Sequence, residues 1–236
     1  MTTITRSTAL PPTIPTDPTN KTALIAGVLY LITFAASIPA LPLYDRLVND
    51  PNYILGSGSS SGVLLGGLLE VITAITVIGT AVVLFPVLKQ QSERLALGFV
   101  TARVLEAGYI VLGVVAVLSV VTLRENAAAG TDPATLVTVG QSLVAIHDWT
   151  FLLGPGLIPG VNALLLGTLL YRSRLVPRLI PLMGLIGAPL FLVSGCAVVF
   201  GAYDQLSVWS GIATVPIVLW ELSLGLWLTF KGFKRA

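Results

Sequence analysis

The chain has 236 residues, of which 55% are hydrophobic and only 10% charged, against roughly 25% charged in a soluble domain. A mean hydropathy of +0.91 and a formal net charge of +2 without a basic cluster exclude a water-soluble enzyme and a nucleic-acid partner. A single cysteine, Cys196, excludes an intrachain disulfide and a paired-cysteine metal motif.

Residues 1–20 (MTTITRSTALPPTIPTDPTN) are rich in Thr and Pro and lack an apolar run. They read as a disordered tail ahead of a single transmembrane domain over 21–236. No signal-peptide core precedes Lys21, and the run after it is long enough to span and to be retained. The apolar runs are continuous rather than alternating, which selects helices over a barrel. Six reach the ~20 residues that hydrocarbon requires: about 23–43, 62–88, 95–121, 147–171, 179–200 and 207–230. The expected fold is an all-α integral membrane protein, a six-helix transmembrane bundle.

Between the first two spans, loop 44–61 ends in GSGSSSG. This reads as a flexible linker, with a mobile flap over an opening as the functional alternative. Before the fourth span, Leu136, Val139, Leu143 and Ile146 fall at helical spacing among polar residues, which predicts an amphipathic interfacial helix. Gly154-Pro155-Gly156 and Pro159 predict a kink in the fourth span itself. The cations set the orientation. Arg6, Lys21, Lys89, Arg94, Arg172, Arg174, Arg178, Lys231, Lys234 and Arg235 fall on one side, and Arg46 and Arg124 on the other. The positive-inside rule puts both termini in the cytoplasm.

Inside the spans sit Glu70, Arg103, Glu106, His147, Asp148 and Glu221. Ionisable groups there are costly and face the bundle interior. A rise of ~1.5 Å per residue puts Arg103 about 12 Å and Glu106 about 16 Å into the third span, and Glu221 about 21 Å into the sixth. Arg103, Glu106 and Glu221 therefore belong to one group near the inner half. Glu70, His147 and Asp148 form a second group in the outer half. Four carboxyls face one guanidinium and one imidazole, so at least one carboxylic acid is expected to be neutral near pH 7 and able to donate a proton.

Each group also has a plainer reading. Arg103 with Glu106 or Glu221 is equally a clamp between helices. His147 and Asp148 equally mark a helix start at the water interface. Asn162 either hydrogen-bonds across helices or faces a cavity, and Trp149 either belongs to the interfacial belt or contacts a ligand. His147 and Asp148 alone do not make a zinc site, and there is no Walker loop. No metal or other cofactor is implied.

ARVLEAGYIVLGVVAVLSVV, HDWTFLLGPGLIPGVNALLLGTLLYRSRLVPRLIPLMGLIGAPLFL and VPIVLWELSLGLWLTFKGFK resemble the bacterial membrane family catalogued as domain of unknown function 4386. The likeness runs from about Lys21 to Lys234. Its most specific parts are R-x-x-E at Arg103 and Glu106, H-D at His147 and Asp148, and W-E at Trp220 and Glu221. It implies one six-span domain and no particular reaction. Glu70 matches none of these motifs. Small membrane-bound terpene cyclases offer a looser analogy of size and intramembrane acid chemistry.

These readings lead to a membrane-embedded enzyme that uses intramembrane carboxylic acids on an apolar, isoprenoid-like or lipid-like substrate. In that reading Glu70, or Asp148 tuned by His147, is the general acid. Glu106 or Glu221 accepts a proton or stabilises positive charge, and Arg103 holds the base of the pocket. A proton-coupled transporter, with a homodimer completing it, and a non-catalytic scaffold are the alternatives. The other expected partners are membrane lipids.

Overall fold

The computed structural model describes residues 18–128 and 130–234. The expected tail lies outside the described residues as far as Asp17, and its last three residues form the first turn of a helix. The elements are α1 (Pro18–Asn49), a 3-10 turn (Tyr53–Leu55), α2 (Ser61–Leu88), α3 (Glu93–Asn126), α4 (Pro133–Leu153), α5 (Ile158–Ser173), α6 (Leu179–Val199) and α7 (Val208–Phe230). There is no strand among the described residues. Six segments are long and apolar enough to cross a membrane, the fourth being α4 and α5 together. The protein is an all-α, six-span bundle. Its helices hydrogen-bond their own backbones, as hydrocarbon demands.

The spans form a closed ring. α1 packs on α2, α2 on α3, α3 on both α4 and α5, α5 on α6, α6 on α7, and α7 returns to α1. Glycine closes the ring. A Cβ at Gly27 would lie 2.8 Å from the Gly225 carbonyl, and one at Gly225 would lie 2.9 Å from Tyr30 Cβ. The α1 and α7 backbones therefore touch. Tyr30 lies about one turn from Gly27, and Glu221 about one turn from Gly225, so the contact brings their side chains to one level.

Two packed clusters occupy opposite ends of the ring. At the end holding both termini, Leu84, Leu88, Phe99, Leu166, Leu170, Trp220, Leu224 and Leu228 are fully buried together. At the other, the loop end, Tyr44, Leu47, Tyr53, Ile54, Val117 and Val120 form a second cluster.

The 134–146 segment is helical and continues without a break through His147 to Leu153. Its packed face differs from the stripe read off the sequence. Leu136 and Leu143 turn inwards with Val137 and Val144, whereas Val139 and Ile146 are exposed. Register on α3 and the 3-10 turn decides the face; the apolar stripe alone does not. The fourth span then breaks at Gly154, and α5 restarts at Ile158 with Pro159 in its first turn. Proline has no N–H to lose there.

The GSGSSSG linker is tied down. Arg124 at the end of α3 donates from Nε to the Gly56 carbonyl at 2.7 Å and from Nη2 to the Gly58 carbonyl at 2.8 Å. Its guanidinium also lies 4.3 Å from the Tyr53 ring centroid. One of the two cations at the loop end is thus committed to holding the segment that leads into α2.

Candidate functional site

Arg103 projects from the middle of α3 and is fully enclosed. Its Nη1 donates to Glu106 Oε2 at 3.1 Å, and its Nη2 donates to Glu221 Oε1 at 2.6 Å and to the Tyr30 hydroxyl at 3.1 Å. The guanidinium also sits 5.4 Å from the Tyr30 ring centroid and 5.6 Å from that of Phe99. Glu106 is shared, because Asn162 of α5 donates from Nδ2 to Oε2 at 2.7 Å. Four helices therefore converge on one cation: α1, α3, α5 and α7. The Arg103 Nε–H and the Asn162 Oδ1 are buried and unpaired, which is uncommon for buried polar atoms.

Glu70 lies buried on α2 and accepts a hydrogen bond from the Tyr44 hydroxyl to Oε2 at 3.1 Å. Gly66, one turn earlier on α2, makes that reach possible. A Cβ there would lie 2.7 Å from Tyr44 Cε1, so the ring rests on bare backbone. His147 meets the same tyrosine edge-on, with ring centroids 5.5 Å apart, and stacks on Phe151 at 6.2 Å. A void of about 10 Å³ separates Glu70 from His147 and is also lined by Tyr109, Gly113 and Thr150.

Between the two packed ends lies a cavity of about 250 Å³. Every span contributes to its wall: Thr33, Phe34 and Ser37 from α1, Glu70 and Thr73 from α2, Arg103 and Glu106 from α3. Phe151, Pro155 and Pro159 come from the broken fourth span, Phe191 from α6, and Thr214 and Glu221 from α7. The two acidic groups that the sequence separates thus share one chamber. A groove of about 590 Å³ shares Leu41, Phe151, Pro155, Phe191, Thr214 and Val218 with it and continues between α1, α6 and α7 towards the loop end.

Two candidate residues fall elsewhere. Asp148 is 3.3 Å from His147 Nδ1, but its side chain is 53% exposed. It lines a separate recess beside Asp50 and Tyr53. It therefore drops out of the count of buried acids, leaving three carboxyls around one guanidinium and one imidazole. Trp149 is exposed and lines neither the cavity nor the groove. Among the described residues, no three His, Cys, Asp or Glu side chains converge as a metal site would need. Gly58-Ser59-Ser60-Ser61-Gly62 has the spacing of a nucleophile elbow. It leads into α2 from a loop, not a strand, and no described histidine or carboxylate hydrogen-bonds Ser60.

Tyr30, Thr33, Ser37 and Tyr44 were not among the sequence candidates. They form an inward stripe on α1, and spacings of three, four and seven keep them on one helix face. Hydroxyls recurring at that spacing in an otherwise apolar span were the available signal.

The family described as "Domain of unknown function (DUF4386)" matches residues 25–232. No curated protein matches the chain, and no solved structure matches it.

Replacing Arg103 with Met strands two buried carboxyls, which costs about 3–5 kcal/mol of unfolding free energy when one partner of a buried pair is removed. Denaturant unfolding in detergent micelles measures this. The combined Arg103→Met, Glu106→Gln and Glu221→Gln variant recovers most of the loss. A single Arg103→Met variant as stable as the parent contradicts the clamp.

Proposed function

The chain belongs to the DUF4386 family, and we propose that it is a membrane-embedded acid–base catalyst acting on an apolar small molecule drawn from the bilayer. The observation that carries this reading is the central cavity: largely apolar, reached by a groove, and walled by three carboxyls and one guanidinium. Apolar cavities with a few convergent polar groups are the usual form of a small-molecule site. A scaffold has no need of such a chamber, because helix docking is served by dry packing.

Charge counting supplies the chemistry. With Glu106 and Glu221 both on Arg103, one cation faces two acids, and Glu70 adds a third with a tyrosine hydroxyl as its hydrogen-bond donor. Bare carboxylates are not sustained in such a place, so the set carries protons. Glu70 delivers a proton to a carbon–carbon double bond. The faces of Phe34, Phe151 and Phe191 on the cavity wall stabilise the resulting carbocation through their quadrupoles. Glu106 or Glu221 takes a proton from a neighbouring carbon. The sum is an isomerisation or cyclisation of an isoprenoid-like molecule, with no oxidant or cofactor consumed.

In this reading the site belongs to a bacterial inner membrane, with the termini cytoplasmic. The support is the cation count at the two ends of the bundle together with the positive-inside rule. In intact cells, and in a Cys196→Ala background because Cys196 is itself exposed, an impermeant maleimide then labels a cysteine introduced at Ala202 and spares one introduced at Gln91. The reverse pattern inverts the topology.

Solvent deuterium tests the chemistry whatever the product is. Proteoliposomes in D2O are supplied with geraniol, farnesol, oleic acid or an extract of the native membrane lipids. The parent places deuterium in a carbon-bound position of one of these, and Glu70→Gln or Glu106→Gln lowers the rate by about 10²-fold or more. No incorporation from any of them, or full incorporation by the variants, overturns the reading. Uptake of an unchanged molecule together with protons replaces catalysis by transport.

A further inference from the structure

Glu70 sits between two spaces. It lines the central cavity and also the small void that it shares with His147. That void, about 10 Å³, is on the order of the smallest space that holds one water, and its wall includes Glu70, His147, Tyr109 and Thr150. On the far side of His147, Nδ1 lies 3.3 Å from Asp148 Oδ1. Asp148 opens onto a recess of about 160 Å³ at the loop end, shared with Asp50 and Tyr53. Exposure falls from Asp148, whose side chain is 53% exposed, to His147, at 10%. His147 packs against Tyr44 and Phe151.

We propose that Asp148, His147 and Glu70 form a one-sided proton route that connects the loop end of the bundle with the central cavity. A proton taken up at Asp148 passes to His147 Nδ1. A second leaves His147 from Nε2, through one water, to Glu70; the imidazole ends as its other tautomer with no net gain or loss, and a half-turn of the ring resets it before the next proton. Tyr44 holds Glu70 by Oε2 alone, which leaves Oε1 for the exchange.

The groups facing this route are few. Glu70 meets Tyr44 from α1, shares the small void with Tyr109 from α3 and His147 from α4, and shares the cavity wall with Arg103 and Glu106 from α3 and Glu221 from α7. His147 meets Tyr44, Glu70, Tyr109 and Asp148. Towards the termini Arg103 closes the base of the cavity, and beneath it Leu84, Leu88, Phe99, Leu166 and Leu224 are fully buried together.

The use made of the proton rests on the acid–base reading; the route does not, and it is read without substrate. Dicyclohexylcarbodiimide modifies protonated carboxyls in membranes, and peptide mass spectrometry reports the extent at Glu70. In oriented proteoliposomes with different pH on the two sides, modification of Glu70 should follow the pH at the loop end and ignore that at the termini. After a pH jump on the loop side, Asp148→Asn and His147→Phe should slow the response by about 10²-fold. Asp148→Asn sits at an exposed position and keeps the test open if His147→Phe fails to fold. Modification that follows the termini side, that is absent at every pH, or that responds equally fast in Asp148→Asn overturns the route. Failure of deuterium incorporation with side-specific modification intact would overturn the catalytic reading alone.

Discussion

A single guanidinium organises this bundle. Arg103 touches Tyr30 of α1, Glu106 of its own helix and Glu221 of α7, and through Glu106 it reaches Asn162 of α5. In lipid no hydrophobic force draws apolar helices together, since the tails are as apolar as leucine. Alignment must come from close backbone approach and from polar bonds that have no water to compete with them. Gly27 against Gly225 provides the first, and Arg103 the second, about one helical turn away. The cluster fixes which faces of those four helices look inwards.

The cavity follows from that arrangement. Large side chains fill the termini end, and aromatic and branched ones fill the loop end. Between them the walls carry Thr33, Ser37, Thr73 and the acids, which neither interdigitate like leucines nor tolerate being sealed against lipid. The break at Gly154 turns Phe151, Pro155 and Pro159 towards the same space. A largely apolar middle with a few convergent polar groups, set between two packed ends, is thus the place where chemistry has room.

Much of this was legible in the residues, and the rest was hidden for identifiable reasons. Arg103 and Glu106 are three apart, and helix rise alone sets Glu221 at their depth, so that cluster could be read from spacing. The grouping of Glu70 with His147 followed from depth in the same way. Asp148 was harder. Depth puts it beside His147, yet adjacent residues on a helix point about 100° apart, and only packing decides which of the two turns inwards. The stripe on α4 failed for a related reason. When both lipid and protein neighbours are apolar, hydrophobic periodicity does not say which face is packed, so Val139 and Ile146 could not be told from Val137 and Val144. Polar residues carry the facing information instead, and Tyr30, Thr33, Ser37 and Tyr44 on α1 show it. The GSGSSSG segment looked free because its anchor, Arg124, lies more than sixty residues away in sequence.

The account stands or falls on protons residing among buried acids that outnumber the cations beside them. Infrared spectroscopy of the protein in lipid nanodiscs at neutral pH resolves the carbonyl stretch of a protonated carboxylic acid from the bands of carboxylates. The account predicts such a band at neutral pH, diminished by one of Glu70→Gln, Glu106→Gln or Glu221→Gln. A spectrum with only ionised carboxylates, unchanged across those three variants, would contradict it.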